Sequence, residues 1–189
     1  MSSLSHSILR FLFLFMFFSN FLIIKSSNNT LSLLYKTCKT ISDQDPNISF
    51  NFCLTSLVPA ATKHGHGATT LRRLGLITIY LIRRNVSSTR HHIKNLRRNK
   101  EPGDPLVKSC LADCLELYSD AALTMKQARK DYKARRYDDA SSMISSVMDD
   151  CSTCEDGFKE EGVISPLTNR NHNAFELSAI ALSIINMLA

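Results

Sequence analysis

The sequence predicts an all-α protein: an up-down-up-down four-helix bundle preceded by a short N-terminal helical hairpin and stapled by disulfides. Three observations predict it. Glycine and proline are scarce, 6 and 5 in 189 residues, while Leu, Ile, Ala and Met are plentiful, a composition that favours helices. Several long stretches repeat apolar residues at helical spacing. The six cysteines, an even count, all follow an apolar leader, as in a disulfide-bearing extracellular chain.

The leader comes first. Arg10 precedes a run from Phe11 to Ile24 that only Ser19 and Asn20 interrupt. That is short of the roughly 20 residues of a membrane span. A basic start, a short apolar run and then Ser26 and Ser27 read as a secretory signal peptide over residues 1–27, cut near Ser27. The other reading is an uncleaved signal anchor. The expected domain is then 28–189, with the hairpin in 28–60 and the bundle in 66–189. About 160 residues suffice for one domain with its own core. Secretion exposes thiols to oxidation. Cys38, Cys53, Cys110, Cys114, Cys151 and Cys154 are therefore expected as three disulfides, or as two plus a spare pair. A redox centre at Cys151-x-x-Cys154, or a zinc site built from the two close pairs, is disfavoured by this compartment, and no His lies near either pair. Sequons begin at Asn28, Asn47 and Asn85. Asn28 falls at the expected cut, which leaves Asn47 and Asn85 as candidate N-glycosylation sites.

In the hairpin, Leu31, Leu34, Tyr35 and Cys38 share one helical face, and residues 43–47 read as a turn. Phe50, Cys53, Leu54 and Leu57 mark a second short helix that is expected to stop before Pro59. Cys38 and Cys53 are placed to clamp the two arms, and closing a loop of about 15 residues contributes about 3 kcal/mol in the chain-entropy model. His64-Gly65-His66-Gly67 resembles a metal lure but lacks a neighbouring carboxylate, and Gly-flanked His more often form a loop. The first bundle helix follows, with a stripe of Leu71, Leu74, Ile77, Leu81, Ile93 and Leu96. It stops near Pro102-Gly103-Asp104-Pro105. The second runs from Leu106 with Leu111, Cys114, Leu115, Tyr118, Ala121, Ala122, Met125 and Ala128 inward. The third starts near Tyr137, turns Ala140, Met143, Ile144 and Val147 inward, and is expected to end near Asp150. A mixed segment leads to AFELSAIALSIINMLA, apolar on most sides and hence the most buried helix. Short links make neighbours antiparallel.

Charge is polarised along the chain. Residues 61–100 hold ten Lys or Arg and no acid, whereas residues 101–189 hold nine basic against fifteen acidic side chains. The basic helix lacks interleaved aromatics, which argues against nucleic acid; an anionic polysaccharide or an acidic enzyme surface are better extracellular partners. No nucleophile elbow, His-Glu-x-x-His, phosphate loop or dinucleotide glycine pattern occurs. His91-His92 sits among cations and reads as solvated surface. Asp138-Asp139 and Asp149-Asp150 are sequential, so their side chains diverge around a helix and do not share a substrate. The chain does not read as an enzyme.

The cysteine-bearing segments are specific in combination. YKTC ends at Cys38, DPNISFNFC at Cys53, LADCLELYSDA holds Cys114 and Tyr118, and TCEDGFKE holds Cys154. With VISPLTN around Pro166 and ELSAIAL from Glu176, they resemble the plant invertase/pectin methylesterase inhibitors, and within them the plane-tree pollen allergen group. The likeness spans essentially the whole chain beyond the leader. It implies a four-helix bundle with an N-terminal hairpin, and disulfides Cys38–Cys53 and Cys114–Cys154. It also implies a protein that plugs the cleft of a secreted carbohydrate-active enzyme, either acid invertase or pectin methylesterase, which fold and motifs do not separate. Invertase inhibitors of this family can carry Pro-Lys-Phe near the start of the third bundle helix. Here that place reads Arg135-Arg136-Tyr137, without the proline. A cation and an aromatic persist, so Arg136 and Tyr137 are candidate target-enzyme contacts, and a cation suits a glycosidase site with paired acids. The alternative for Tyr137 is an aromatic packed on the bundle. For a pectin methylesterase target, the resemblance points to the polar face of the second and third bundle helices.

The spare cysteines then pose a question of register. In an antiparallel pair with Cys114 joined to Cys154, Cys110 and Cys151 are displaced in opposite senses along the axis. About seven residues at 1.5 Å each is roughly 10 Å, beyond the disulfide reach of about 7 Å. A Cys110–Cys151 bridge therefore needs a bend after Asp150. The functional expectation is a secreted, apoplastic or cell-wall inhibitor that occludes pectin methylesterase or a cell-wall or vacuolar invertase in a 1:1 complex. Weak pectin binding at most accompanies it, with no cofactor, metal or nucleic acid and no membrane attachment after signal removal. The alternative is a basic helical module that binds pectin or another polyanion without inhibiting anything; a storage bundle comes third.

Overall fold

The computed structural model describes residues 29–62, 68, 70–98 and 104–188. The leader, Asn28 and the His64–Gly67 stretch lie outside the described residues. Within them the chain forms six helices and no strand: α1 over residues 29–44, α2 Phe50–Thr62, α3 Leu71–Arg98, α4 Pro105–Lys133, α5 Tyr137–Glu160 and α6 Thr168–Asn186. Helices α3 to α6 form the four-helix bundle. Its neighbours are α3 with α4, α4 with α5, α5 with α6, and α6 with α3, which closes the ring of an up-down-up-down arrangement.

Two apolar cores result. The larger runs along the bundle from Ile79, Ile82 and Val86 of α3 through Tyr118 and Met125 of α4, Ile144 and Phe158 of α5, to Ile185 of α6. The smaller lies under the hairpin, where Leu34, Cys38 and Ile41 of α1 and Cys53 and Leu57 of α2 meet Leu74 of α3 and Ile180 and Ile184 of α6. A buried carboxylate fixes the hairpin in place. Glu176 of α6 is almost wholly buried, and its Oε1 accepts from the Ser49 backbone N at 2.8 Å while Oε2 lies 3.1 Å from His172 Nε2. The amide of Ser49 stands at the start of α2, where an anion also meets the positive end of the helix dipole. Ser49 Oγ accepts from Phe52 N at 3.3 Å, a side-chain N-cap.

Cys38–Cys53 and Cys114–Cys154 are both formed, with Cα–Cα distances of 5.7 and 4.9 Å. The first clamps α1 to α2 as the hairpin reading required; the second ties α4 to α5. Tyr118, one turn beyond Cys114, donates to Asn171 Oδ1 at 2.7 Å. Asn171 Nδ2 donates to Glu155 Oε2 at 2.6 Å, and Thr168 Oγ1 donates to Glu155 Oε1 at 2.6 Å. The Cys-x-x-x-Tyr and Thr-Cys-Glu-Asp motifs are thus halves of one bridge joining α4, α5 and α6. Burial pushes the Tyr118 hydroxyl well above its ordinary pKa, so it remains a donor.

Four details correct the sequence reading. On α1, Leu34, Cys38 and Ile41 are buried, but Leu31 and Tyr35 are exposed; Tyr35 instead packs edge-on against Phe50 of α2, with ring centroids 5.4 Å apart. Pro59 does not end α2, which continues to Thr62. A proline in a final turn forfeits one backbone bond, while Leu57 and Ala61 on either side are buried and hold the turn. On α3 the buried centre is Leu74, Thr78, Ile79, Ile82, Val86, Thr89 and Ile93, and Leu71, Ile77, Leu81 and Leu96 flank it half-buried. The threonines hid this stripe. They are tolerated inside because Thr78 Oγ1 donates to Leu74 O at 3.0 Å and Thr89 Oγ1 to Asn85 Oδ1 at 3.3 Å. Finally, α5 runs past Asp150 to Glu160, turning Cys151, Cys154 and Phe158 inward. Leu115 and Met143 are half-buried at the edges of their stripes.

Candidate functional site at the corner of α4 and α5

The link between α4 and α5 is three residues long, and the side chains around it explain its shape. Ala134 N bonds Lys130 O at 3.0 Å and Arg135 N bonds Tyr132 O at 3.1 Å, closing α4. Arg135 then takes a left-handed backbone with φ 63°, uncommon outside glycine. The reversal is held from both sides. Arg136 N donates to Asp131 O at 2.9 Å. Its guanidinium pairs with the buried Asp131 carboxylate through Nη2, and Nε reaches Asp139 Oδ2 at 3.2 Å. Gln127 Nε2 donates to both Asp131 oxygens at 3.0 Å. The Arg136 cation, with Gln127, holds the Asp131 carboxyl below the ordinary carboxylate range. Asp138 and Asp139 occupy the first turn of α5, where acids complement the helix dipole.

Aromatic packing secures the other side. The Tyr137 ring meets Tyr132 at a centroid distance of 5.4 Å and an interplanar angle of 62°. Tyr132 is 1% exposed, and its hydroxyl donates to Arg72 O at 2.8 Å across to α3. Arg72 Nη2 donates back to Lys133 O at 3.1 Å. The start of α3, the end of α4 and the start of α5 are therefore welded into one corner. Gly75 makes the approach possible: a Cβ there would overlap the Tyr132 hydroxyl and lie 2.8 Å from its Cζ.

Of the sequence-predicted contacts, the structure brings Arg136 and Tyr137 together at this corner, both engaged within the chain. Arg136 is still about half exposed, Tyr137 is half-buried, and Lys133 and Arg135 are exposed beside them. Sequence reasoning missed Asp131, Tyr132 and Gly75. The available signal was the spacing of Gln127, Asp131 and Tyr132 along the Ala121–Met125–Ala128 stripe, which turns Asp131 inward among cations. The corner presents cations and an aromatic on a rigid turn. It offers a partner electrostatic and stacking contacts.

The remaining candidates are dispersed. Asn47 is exposed and its Nδ2 donates to Asp45 Oδ1 at 3.0 Å; Asn85, half-buried on α3, accepts from Thr89. Cys110 and Cys151 are unbonded and buried. Cys110 Sγ lies 3.6 Å from Gly157 O, and Cys151 contacts the Tyr118 hydroxyl. That register places them on either side of the Cys114–Cys154 bridge, and α5 lacks the bend a third bridge would need. His91 is exposed; His92 is half-buried, and burial with the Arg170 cation lowers its pKa.

Comparison with known proteins agrees with this architecture. A Platanus acerifolia protein named "Putative invertase inhibitor" is 35% identical over 91% of this chain and 94% of its own length. "Pectinesterase inhibitor 12" of Arabidopsis thaliana is 30% identical over 83% of this chain and 88% of its own. The crystal structure of a mutant form of a pectin methylesterase inhibitor from Arabidopsis superposes with a TM-score of 0.67 at 22% identity, covering 79% of this chain and 95% of that one. The plant invertase/pectin methylesterase inhibitor family matches residues 32–184, and the chain belongs to that family.

Proposed function

We propose that the protein is a secreted inhibitor of a cell-wall carbohydrate-active enzyme, acid invertase or pectin methylesterase, and that it works by occluding the active-site cleft. The observation that carries this reading is the rigid corner of Arg135, Arg136 and Tyr137 on a chain of the inhibitor family. Arg136 is fixed by Asp131 and Asp139 before any partner arrives, so little side-chain entropy is lost on docking. Relatives named for either target support both enzyme classes. The proposed complex is 1:1 and forms in the apoplast after removal of residues 1–27; the one such corner among the described residues supports the stoichiometry.

The test is titration of the oxidised domain against a purified cell-wall invertase and a purified pectin methylesterase at mildly acidic pH. Stoichiometric inhibition of one is expected; inhibition of neither by excess protein would sink the proposal. A second reading has its own support. Residues 61–100 carry ten cations and no acid, eight of the cations on α3, which suits a binder of pectin or another polyanion. Salt separates the two readings: polyanion binding collapses in moderate salt, whereas a packed cleft complex keeps much of its affinity.

A further inference from the structure

A cleft of about 450 Å³ opens where α2 lies against α3. Its size falls in the range of small-ligand sites. Leu76 and Ile77 of α3 form its apolar floor, and Tyr80, 47% exposed, stands beside them. Three arginines line it: Arg73 and Arg84, roughly 16 Å apart along α3, and Arg129 of α4. Among the described residues no acidic side chain lines the cleft. Among the described residues these three arginines make no side-chain hydrogen bond or ion pair, unlike Arg72, Arg136 and Arg170, which do. A surface aromatic next to an apolar wall, ringed by unpaired cations, is complementary to one kind of molecule: an anion with a flat apolar body.

We propose that this cleft binds a small aromatic carboxylate, its carboxylate held by Arg84 and Arg129 and its ring laid on Leu76, Ile77 and Tyr80. Guanidinium favours carboxylate through paired N–H donors, and the apolar wall disfavours a purely polar anion such as a uronate sugar. The cleft is lined by none of Arg135, Arg136 and Tyr137, so the proposal stands or falls apart from the inhibitor reading.

Isothermal titration of the oxidised domain tests it, with 4-coumarate as the aromatic anion, 4-coumaryl alcohol as its neutral counterpart and trigalacturonate as a non-aromatic anion. Saturable 4-coumarate binding is expected, with the other two at least tenfold weaker. Arg84→Gln and Arg129→Gln should each weaken it about tenfold, as loss of a charged hydrogen bond does, and Tyr80→Ala should weaken it similarly. Arg84 and Tyr80 are exposed and Arg129 is half-buried, so an unchanged thermal transition verifies that each variant is folded. Absence of 4-coumarate binding, equal binding of the alcohol, or indifference to both arginine changes would overturn the proposal. Trigalacturonate binding as tightly as 4-coumarate would overturn it too and assign the cleft to polyuronate.

Discussion

Gly75→Ala inverts a familiar rule. Alanine in a helix interior is normally favoured over glycine by about 1 kcal/mol. At residue 75 the added methyl would overlap the Tyr132 hydroxyl and lie 2.8 Å from Tyr132 Cζ and 3.0 Å from Ile184 Cγ2. Tyr132 cannot swing aside at little cost. It is 1% exposed, hydrogen-bonded to Arg72 O at 2.8 Å and packed on Tyr137. Overpacking costs about 1–3 kcal/mol, and displacing the hydroxyl from its acceptor adds about 1 kcal/mol. Together these outweigh the propensity gain, leaving a net loss of about 2 kcal/mol. For a domain of this size that lowers Tm by about 4–8 °C, measurable by calorimetry. Tyr132→Phe alone should cost about 1 kcal/mol. The double variant should be more stable than the sum of the two losses predicts, because the worst overlap has gone; the coupling is about 1 kcal/mol. A Gly75→Ala protein as stable as the parent, or strict additivity in the cycle, would refute the close approach of α3 and α4 at the corner.

Other expectations follow from single sites. Burial, with Asp120 and Asp149 nearby, raises the Asp150 carboxyl to about 6. A raised acid binds its proton more tightly when folded, so its contribution to stability grows as pH falls from 7 towards 4 and is lost as pH rises through 6. The gap from its ordinary value of 3.8 would be about 3 kcal/mol for a fully buried group; with much of Asp150 in solvent, screening leaves about 1 kcal/mol. Asp150→Asn should therefore raise Tm at pH 7 and flatten the pH 4–7 profile, and an unchanged profile would contradict it. Asp131 has the opposite sign: its lowered pKa stabilises at all pH values above the ordinary carboxylate range and that contribution fades only below it. Asp131→Asn should accordingly lower Tm equally at pH 5 and pH 7, read by the same scans. Burial pushes the Cys151 thiol to about 12 and raises Cys110 too. Alkylation followed by intact-mass analysis should label neither in the native protein and two thiols after denaturation without reductant; zero there would mean a third bridge. Cys114→Ala with Cys154→Ala opens a 40-residue loop and should cost about 4 kcal/mol, seen as a lower denaturant midpoint. Arg136→Ala with Tyr137→Ala should weaken invertase inhibition at least tenfold if the corner enters that cleft, and undiminished inhibition would move the contact elsewhere.

Composition and periodicity together determined the all-α class, and periodicity most of the inward face of α4, that of the first half of α5 and the burial of α6, because an amphipathic helix writes its buried side into its own spacing. The hairpin reading already set Cys38 against Cys53, whereas Cys114–Cys154 came through resemblance rather than geometry. What periodicity could not carry were positions where polar groups go inside. Thr78 and Thr89 look like surface until their hydroxyls are seen to bond within α3; Glu176 looks like an interruption until Ser49, 127 residues away, places an amide on it. The extent of α5 past Asp150 was equally illegible, since CSTCEDGF is weakly apolar and only packing against α4 and α6 makes Cys151, Cys154 and Phe158 a face. The corner shows the division most clearly. The sequence places a cation and an aromatic at Arg136 and Tyr137. Only the tertiary structure decides that Asp131 and Asp139 hold the cation and that Tyr132 spans to α3 over Gly75. Those partners come from three helices, and the free energy of burying a charge or overlapping a ring depends on neighbours that no local pattern encodes.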